Sequence, residues 1–224
     1  MLRVLLTGFG PFPGVAENPS AWLAEALAAR SSSLDCELRA LVLPAEWGAV
    51  TALTPRLYEK LQPHVMIHFG VSQRATAFRI ERSAHNRILP RADARGALPE
   101  RRAIAQEGSR RLDTSLPTRA LGAYLRAEGL AASASPSCGR YLCNFLYYRS
   151  LDWAARQADP PLVLFVHMPP RAAQDGPLDD ATLLNGAEAT LRFVLAFAGS
   201  QRAPSLTGAA VADHEAGLRV REWN

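Results

Sequence analysis

Cysteine is scarce in this chain, with three residues among 224. An odd number of cysteines in a sequence without the features of a signal peptide argues against a disulfide framework. Long hydrophobic runs are missing as well, since no stretch approaches the roughly 18 apolar residues needed to cross a bilayer. These absences predict a cytoplasmic protein that does not enter a membrane.

Concentrated positive charge is also lacking. The net charge is +4 at pH 7, but the densest group of arginines, between residues 79 and 111, is interrupted by four acidic residues and has almost no aromatic neighbours. A nucleic-acid site needs a basic patch or stripe. We therefore interpret this region as a solvated surface and expect no nucleic-acid partner.

Metal ligands are too dispersed for a recognisable site. A zinc site at Cys138 and Cys143 would need a second close pair of soft ligands, and only Cys36 and five scattered histidines remain. A redox pair is usually separated by two residues, whereas four lie between these two cysteines. The sequence predicts neither a metal site nor a cofactor.

Short apolar runs alternate with helix-like stretches along most of the chain, as in βαβ units around a parallel sheet. We expect the α/β class, in the form of a three-layer α/β/α sandwich with a twisted, mostly parallel central sheet. The length fits one domain over residues 1–200, followed by a C-terminal tail at 201–224. Strands are predicted at residues 3–6, 37–43, 65–69, 131–135 and 162–166. Helices are predicted after Asn18, a suitable cap, and at residues 50–61, 118–128, 141–156 and 179–198.

Two segments depart from this pattern. Residues 75–93 alternate between apolar and polar side chains, which predicts a strand or hairpin added to the sheet edge. Residues 91–113 are rich in arginine, glycine and proline. We expect them to form a long surface excursion, and such loops are often functional.

Two residues lie at positions typical of a nucleophile and its base. Cys143 falls in the first turn of a predicted helix, where free N–H groups and the helix dipole favour a thiolate. His167 follows the apolar run 161–166, at the carboxyl end of a predicted strand, and open α/β sheets bind ligands at that end. A lone histidine is more often structural, so the pattern leaves both interpretations open.

Two further features are equally ambiguous when read alone. Glu81 stands inside an apolar alternating stretch, either paired with a neighbouring arginine or held in a cleft. In "TGFGPFPGVAENPS", Phe9 and Phe12 sit in a glycine- and proline-rich turn that suits a small flat pocket or ordinary core packing. The turn lacks the spacing and the lysine of a phosphate-binding loop.

Five motifs in order resemble the pyroglutamyl peptidase I family of cysteine peptidases. They are "LLTGFGPFPGVAENPS", "QPHVMIHFG", "IERSAHN", "CGRYLCNFLYY" and "FVHMP", and the resemblance extends from about residue 2 to about residue 198. It implies removal of an N-terminal pyroglutamyl (5-oxoproline) residue from peptides through a thioester. Peptides with N-terminal pyroglutamate are the implied partners, and the implied assembly is a homodimer or homotetramer.

The resemblance also assigns roles. Cys143 matches the nucleophile in a G-x-x-x-C-N context, and His167 matches the histidine after the late strand. Glu81 matches the acid that opens E-R-x-A-x-N. The pyroglutamyl pocket would be lined by five residues: Phe9, Phe12, Val71, Tyr141 and Leu142. Cys138 would then be an inert neighbour.

The sequence departs from the family pattern at several positions. Val71 replaces a glutamine, Pro13 replaces a pocket glycine, and an arginine expected near the oxyanion could be Arg87 or Arg91. The alternative function is therefore a non-catalytic or divergent α/β protein that binds a lactam or other small ligand. A phosphate binder that uses the first glycine-rich turn is a third possibility.

Overall fold

The computed structural model describes residues 1–30 and 34–202. Within these residues the chain forms eight strands: β1 (Leu2–Phe9), β2 (Cys36–Leu43), β3 (Val65–Val71), β4 (Phe78–Glu81), β5 (Ser83–His85), β6 (Arg111–Asp113), β7 (Ala132–Ser135) and β8 (Leu162–Met168). The same residues form five α-helices: α1 (Pro19–Arg30), α2 (Trp47–Leu61), α3 (Thr118–Ala127), α4 (Leu142–Ala154) and α5 (Asp180–Arg202). No helix of the described part is long and apolar enough to span a membrane.

Six strands form the central sheet in the order β2-β1-β3-β8-β4-β7. The pairs β1–β2, β1–β3, β3–β8 and β4–β7 are parallel, while β4 runs antiparallel to β8. The three-layer α/β/α fold with a mostly parallel sheet, predicted from the βαβ pattern, is confirmed. All five predicted strands are present, and β1, β3 and β8 are longer than predicted by four, two and two residues.

Two apolar clusters cover the two faces of this sheet. One joins α1, α3 and α5 to side chains such as Leu6, Ile67 and Val166. The other joins α2 and α4 to the alternate residues, including Leu5, Met66 and Phe165. Because side chains alternate along a strand, β1, β3 and β8 supply both clusters.

The position predicted for residues 75–93 is wrong. We expected a strand or hairpin at the sheet edge, but β4 lies between β8 and β7, and β5 pairs with β6 in a separate two-stranded ribbon. The edge position belongs to β7, whose residues Ala132–Ser135 pair with β4. The alternation in β4 comes from Arg79, whose side chain is exposed between the fully buried Phe78 and Ile80. This pattern resembles that of an edge strand.

Asn86 is one of the side chains that hold the predicted surface excursion against the domain. Asn86 donates to the carbonyl oxygens of Ala105 and Gly108 and accepts the N–H groups of Ile104 and Ala105. Four hydrogen bonds from one side chain define the path of a long segment without regular structure. The single domain over residues 1–200 stays a prediction, and residues 203–224 of the predicted tail lie outside the described residues.

Helix α5 approaches β4 so closely that only glycine fits at one position. A Cβ atom on Gly186 would stand 2.3 Å from the ring of Phe78. We expect Gly186→Ala to reduce the free energy of unfolding by about 1–3 kcal/mol, as overpacked core substitutions do. Urea unfolding followed by circular dichroism measures this change.

The matched control is Gly199→Ala on the same helix, where the added Cβ would meet nothing within 4 Å. Alanine in an open helical position should raise the free energy of unfolding by about 0.5–1 kcal/mol. Equal effects of the two substitutions would contradict the packing described for Gly186.

Candidate active site

Cys143 is the second residue of α4, as the sequence predicts. The helix begins at Leu142, after Tyr141 in an extended conformation (φ −117°, ψ −159°), and no side chain caps it. The first N–H groups of a helix have no partner within the helix. The sulfur therefore belongs to the turn at the positive end of the helix dipole, which also carries these free donors.

Because residue 70 of β3 is glycine, there is room for the Cys143 sulfur beside this strand. A Cβ atom on Gly70 would stand 3.0 Å from Cys143 Sγ and 2.9 Å from the ring of Phe165. Gly70 lies directly opposite His167 in the β3–β8 register. Directly paired residues face the same side of a sheet, so the sulfur and the imidazole lie over neighbouring strands on one face.

Asn144, the residue after the nucleophile candidate, anchors the start of α4. Its fully buried amide accepts the N–H of His85 at 2.7 Å and donates to the carbonyl oxygens of His85 and Arg87. These bonds connect the helix to the segment after β5. The position of Cys143 is therefore set by tertiary contacts as well as by its own helix.

Glu81 and His167 form the second half of the site. His167 Nδ1 lies 2.8 Å from Glu81 Oε1, and the glutamate side chain is 1% exposed. The acid comes from β4, which runs antiparallel to β8 and places Glu81 opposite Phe165 in the register. Of the two interpretations left open for Glu81, the structure favours the cleft, although Arg79 Nε also approaches its carboxylate at 3.7 Å.

The surroundings of His167 favour its charged form. Burial alone lowers the pKa, but attraction to an ionised Cys143 sulfur, a hydrogen bond to that sulfur and the Glu81 carboxylate raise it by more, to about 9. The imidazole is therefore protonated at neutral pH whenever the neighbouring sulfur is ionised.

The other buried thiol and imidazole of this face are kept neutral. Burial, with the nearby Cys143 and Glu81, raises the pKa of Cys138 well above its usual value. His68 is fully buried and bonded through Nδ1 to Thr7 Oγ1 at 2.8 Å, and burial lowers its pKa to about 3. Neither group can supply a charge near pH 7.

A cavity of about 370 Å³ opens above these residues. All eight residues singled out by the sequence line it: Phe9, Phe12, Val71, Glu81, Tyr141, Leu142, Cys143 and His167. Phe9 is 3% exposed, whereas Phe12 is half-buried, so the first belongs to the core as well as to the cavity wall. Of the two arginines proposed for the oxyanion, Arg91 lines the cavity, whereas the exposed Arg87 does not.

A polar network fixes the loop that carries the two phenylalanines. Ser20 Oγ accepts the N–H of Phe9 and bonds to Asn18 Oδ1, and Asn18 Nδ2 donates to the carbonyl oxygen of Gly10. Asn18 Oδ1 also accepts the N–H of Ser20, which confirms its predicted place at the start of α1.

The tip of this loop is a tight turn between Phe12 and Val15, whose backbone N–H and carbonyl groups bond to each other. Gly14 has φ +84°, and proline followed by a residue of positive φ is the combination that a type II turn requires. Pro13 therefore stiffens the turn without disturbing it.

Several cavity residues could not be assigned from the sequence alone. Arg79, Ser137 and Arg140 line the wall together with Asn18 and Gln73. Arg79 and Arg140 carry no sequence signal of a site, because scattered arginines are normal on a surface. Within residues 1–30 and 34–202, no three His, Cys, Asp or Glu side chains come together as a metal site would require.

Comparisons with known proteins agree on one family. The sequence model described as "Pyroglutamyl peptidase" matches residues 2–178. A relative from Gloeobacter violaceus, a pyrrolidone-carboxylate peptidase, is 34% identical over 200 residues that cover 86% of this chain and 97% of that protein. Rat pyroglutamyl-peptidase 1 is 33% identical over 170 residues, covering 75% of this chain and 78% of that protein.

The fold is also that of solved structures with these names. The pyrrolidone carboxyl peptidase from Thermococcus litoralis superposes with a TM-score of 0.82 at 26% sequence identity, covering 90% of this chain and 97% of that one.

A methyl group added at Gly70 tests whether the Cys143 sulfur lies against β3. We expect Gly70→Ala to displace the Cys143 sulfur from His167 and to reduce the free energy of unfolding by about 1–3 kcal/mol. Alkylation of Cys143 by iodoacetamide should become slower, because the imidazole no longer stabilises the thiolate. Mass spectrometry of the tryptic peptide 141–149, which carries only this cysteine, follows the reaction.

Gly48→Ala is the control, because an added Cβ at this position of α2 would meet nothing within 4 Å. Its alkylation rate should equal that of the wild type. An unchanged rate in Gly70→Ala as well would show that the sulfur does not lie against β3.

Proposed function

The chain belongs to the pyroglutamyl peptidase family, and we propose that Cys143, His167 and Glu81 are the residues with which it removes an N-terminal pyroglutamyl residue from peptides. It is a cysteine peptidase, so the proposal concerns which groups act and how. One observation carries it: Cys143 Sγ lies over Gly70, opposite a histidine whose Nδ1 is 2.8 Å from a buried carboxylate.

The first step forms a covalent bond between enzyme and substrate. The Cys143 proton passes to His167, and the thiolate attacks the carbonyl carbon that joins pyroglutamate to the next residue. Glu81 fixes the ring through Nδ1, so that Nε2 is left to exchange protons with sulfur and substrate, and its charge stabilises the imidazolium.

The start of α4 would stabilise the negative charge that develops on the carbonyl oxygen. Backbone N–H groups of the first turn, including that of Cys143, have no partner in the helix and are available to this oxyanion. Removal of one such donor typically costs about 10²–10³-fold in rate. Arg91, which lines the same cavity, is the arginine placed to assist.

The remaining steps release the shortened peptide and then free pyroglutamate. His167 gives its proton to the leaving nitrogen, the C–N bond breaks, and the shortened peptide departs. Water then attacks the thioester carbonyl with His167 as base, the C–S bond breaks, and free pyroglutamate and the thiol are released.

The pocket suits a ring without charge. A pyroglutamyl residue has no ammonium group, and Phe9, Phe12 and Val71 offer apolar contacts to its flat lactam. Polar partners for the lactam N–H and C=O would come from the backbone and from polar side chains of the cavity. An open-chain N-terminus would bring a charged amine into this apolar pocket and leave those polar groups unpaired, which predicts its exclusion.

We expect the protein to act in the cytoplasm as a homodimer or homotetramer, in line with the resemblance and with exposed apolar side chains such as Leu53 and Leu89. The alternative of a non-catalytic lactam-binding protein is not favoured, because the three groups that catalysis needs share one cavity.

The two neighbouring cysteines provide the direct test of the nucleophile. We expect Cys143→Ala to abolish hydrolysis of a chromogenic pyroglutamyl amide, because no other ionisable thiol faces His167. Cys138→Ala should keep turnover, because the raised pKa of that thiol makes it unreactive. Loss of activity in Cys138→Ala alone, with a folded protein by circular dichroism, would overturn the assignment.

The pH profile tests the role of Glu81. A pKa of about 9 for His167 predicts that kcat/KM falls above about pH 9, where the ring loses the proton that the leaving amine needs. The carboxylate raises this pKa, so its neutralisation in Glu81→Gln should move the alkaline limb to lower pH and lower the rate throughout.

Stopped assays of the chromogenic amide between pH 5 and 11 measure the limb. Arg82→Gln serves as control, since Arg82 is exposed and pairs with Asp113 away from the cavity. An alkaline limb that stays in place in Glu81→Gln would refute the proposed link between the two side chains.

A further inference from the structure

The wall of the catalytic cavity carries a marked excess of positive charge. Three arginines line it, Arg79, Arg91 and Arg140, and among the lining residues Glu81 is the single acid. All three arginines are exposed. The pyroglutamyl ring is uncharged, so its recognition accounts for none of these guanidinium groups.

Arg79 lies beside the group that would protonate the leaving amine. Its backbone pairs with that of His167 across β4 and β8, so both side chains emerge on the same face. Its Nη2 donates to Ser135 Oγ at 3.0 Å, and its Nε is 3.7 Å from Glu81 Oε1. That oxygen already binds His167 at 2.8 Å, so the charge of Arg79 is only partly balanced.

Arg91 has an aromatic neighbour and no acidic one. Its guanidinium carbon lies 4.7 Å from the centre of the Tyr141 ring. The Tyr141 hydroxyl donates to the carbonyl oxygen of Ala92, and Trp47 Nε1 donates to that of Arg91. These contacts fix Arg91 at the rim, and no carboxylate of residues 1–30 or 34–202 lies within 4 Å of its charged nitrogens.

Arg140 stands three positions before Cys143 and lines the same cavity. Its carbonyl oxygen accepts the N–H of Leu89, which ties its backbone to the segment that carries Arg91. In the described part of the chain it too has no carboxylate partner. Asp93, the nearest acid in that segment, is buried and accepts the N–H groups of Trp47, Arg95 and Ala97.

Unpaired charges of one sign around a cleft attract ligands of the other sign. The part of the substrate nearest to them is the residue that follows pyroglutamate, because its nitrogen must lie beside His167 and hence beside Arg79. We propose that this enzyme prefers pyroglutamyl peptides in which the following residue is aspartate or glutamate. The proposal rests on the function proposed above and names the substrate class within it.

Two isosteric substrates isolate the effect of a negative charge on the residue after pyroglutamate. Pyroglutamyl-aspartic acid amide and pyroglutamyl-asparagine amide differ in one carboxylate and have no terminal charge otherwise. We expect kcat/KM for the aspartyl substrate to be higher, on the order of tenfold at low ionic strength, because several exposed ion pairs each contribute modestly. The ratio should decrease as salt is added, since exposed charges are screened. Chromatographic measurement of released pyroglutamate gives both rates.

Neutral replacements show which arginines are responsible. The aspartyl-to-asparaginyl ratio should decrease in Arg79→Gln and in Arg140→Gln and should be lowest in the double variant, in which Arg91 is the cavity arginine that remains. The ratio is internal to each preparation, so a change in the amount of folded enzyme does not affect it. Arg119→Gln is the matched control, because Arg119 is exposed on α3, lies outside the cavity and carries the same charge.

The outcomes separate this proposal from the function on which it rests. If the wild type fails to hydrolyse a neutral chromogenic pyroglutamyl amide, the proposed function is wrong and the preference falls with it. If that amide is hydrolysed but the ratio is one or less, only the acidic preference is overturned. A ratio that is as high in the double variant as in the wild type, or that decreases equally in Arg119→Gln, would likewise overturn the assignment to the cavity arginines.

Discussion

The site depends on the close approach of α4 to the central sheet at Gly70, a position of β3 without a side chain. Cys143 enters the first turn of α4, and its sulfur occupies the space that any residue larger than glycine would fill at position 70. The ring of Phe165 borders the same space, and a hydrogen bond between Asn144 and His85 holds the start of α4. Because core packing is dense, the sulfur has a defined position relative to the imidazole on the next strand.

Electrostatics then assigns different states to similar groups. Cys138 and Cys143 are five residues apart and line one cavity, yet burial keeps the first as a thiol, while the second faces a helix terminus and a histidine with a raised pKa. His68 and His167 show the same contrast, since burial without a carboxylate lowers one pKa to about 3. Cys143 and the buried Glu81 distinguish His167 from its neighbour on β3.

Buried and half-buried amides organise the loops that complete the site. Asn18 shapes the turn with the two phenylalanines, Asn86 binds backbone groups of the long excursion, and Asn144 connects the segment around β5 to α4. Each satisfies several backbone groups that have no partner in regular structure, which is the requirement that a loop near the core must meet. Of the cavity arginines, Arg91 belongs to the long excursion, whereas Arg79 lies on β4 and Arg140 precedes α4.

The sequence by itself determined the order of most strands and helices along the chain and placed Cys143 at a helix start and His167 at a strand end, because periodicity and capping are local properties. The five motifs added the family and the proposed roles of Glu81 and the pocket residues. Tertiary structure alone decided that β4 lies inside the sheet, antiparallel to β8, and that Glu81 therefore reaches His167 instead of solvent. It also decided that Arg79 and Arg140 face the cavity. Strand pairing joins residues 86 positions apart, and no local pattern in a chain encodes which distant strand will lie beside it.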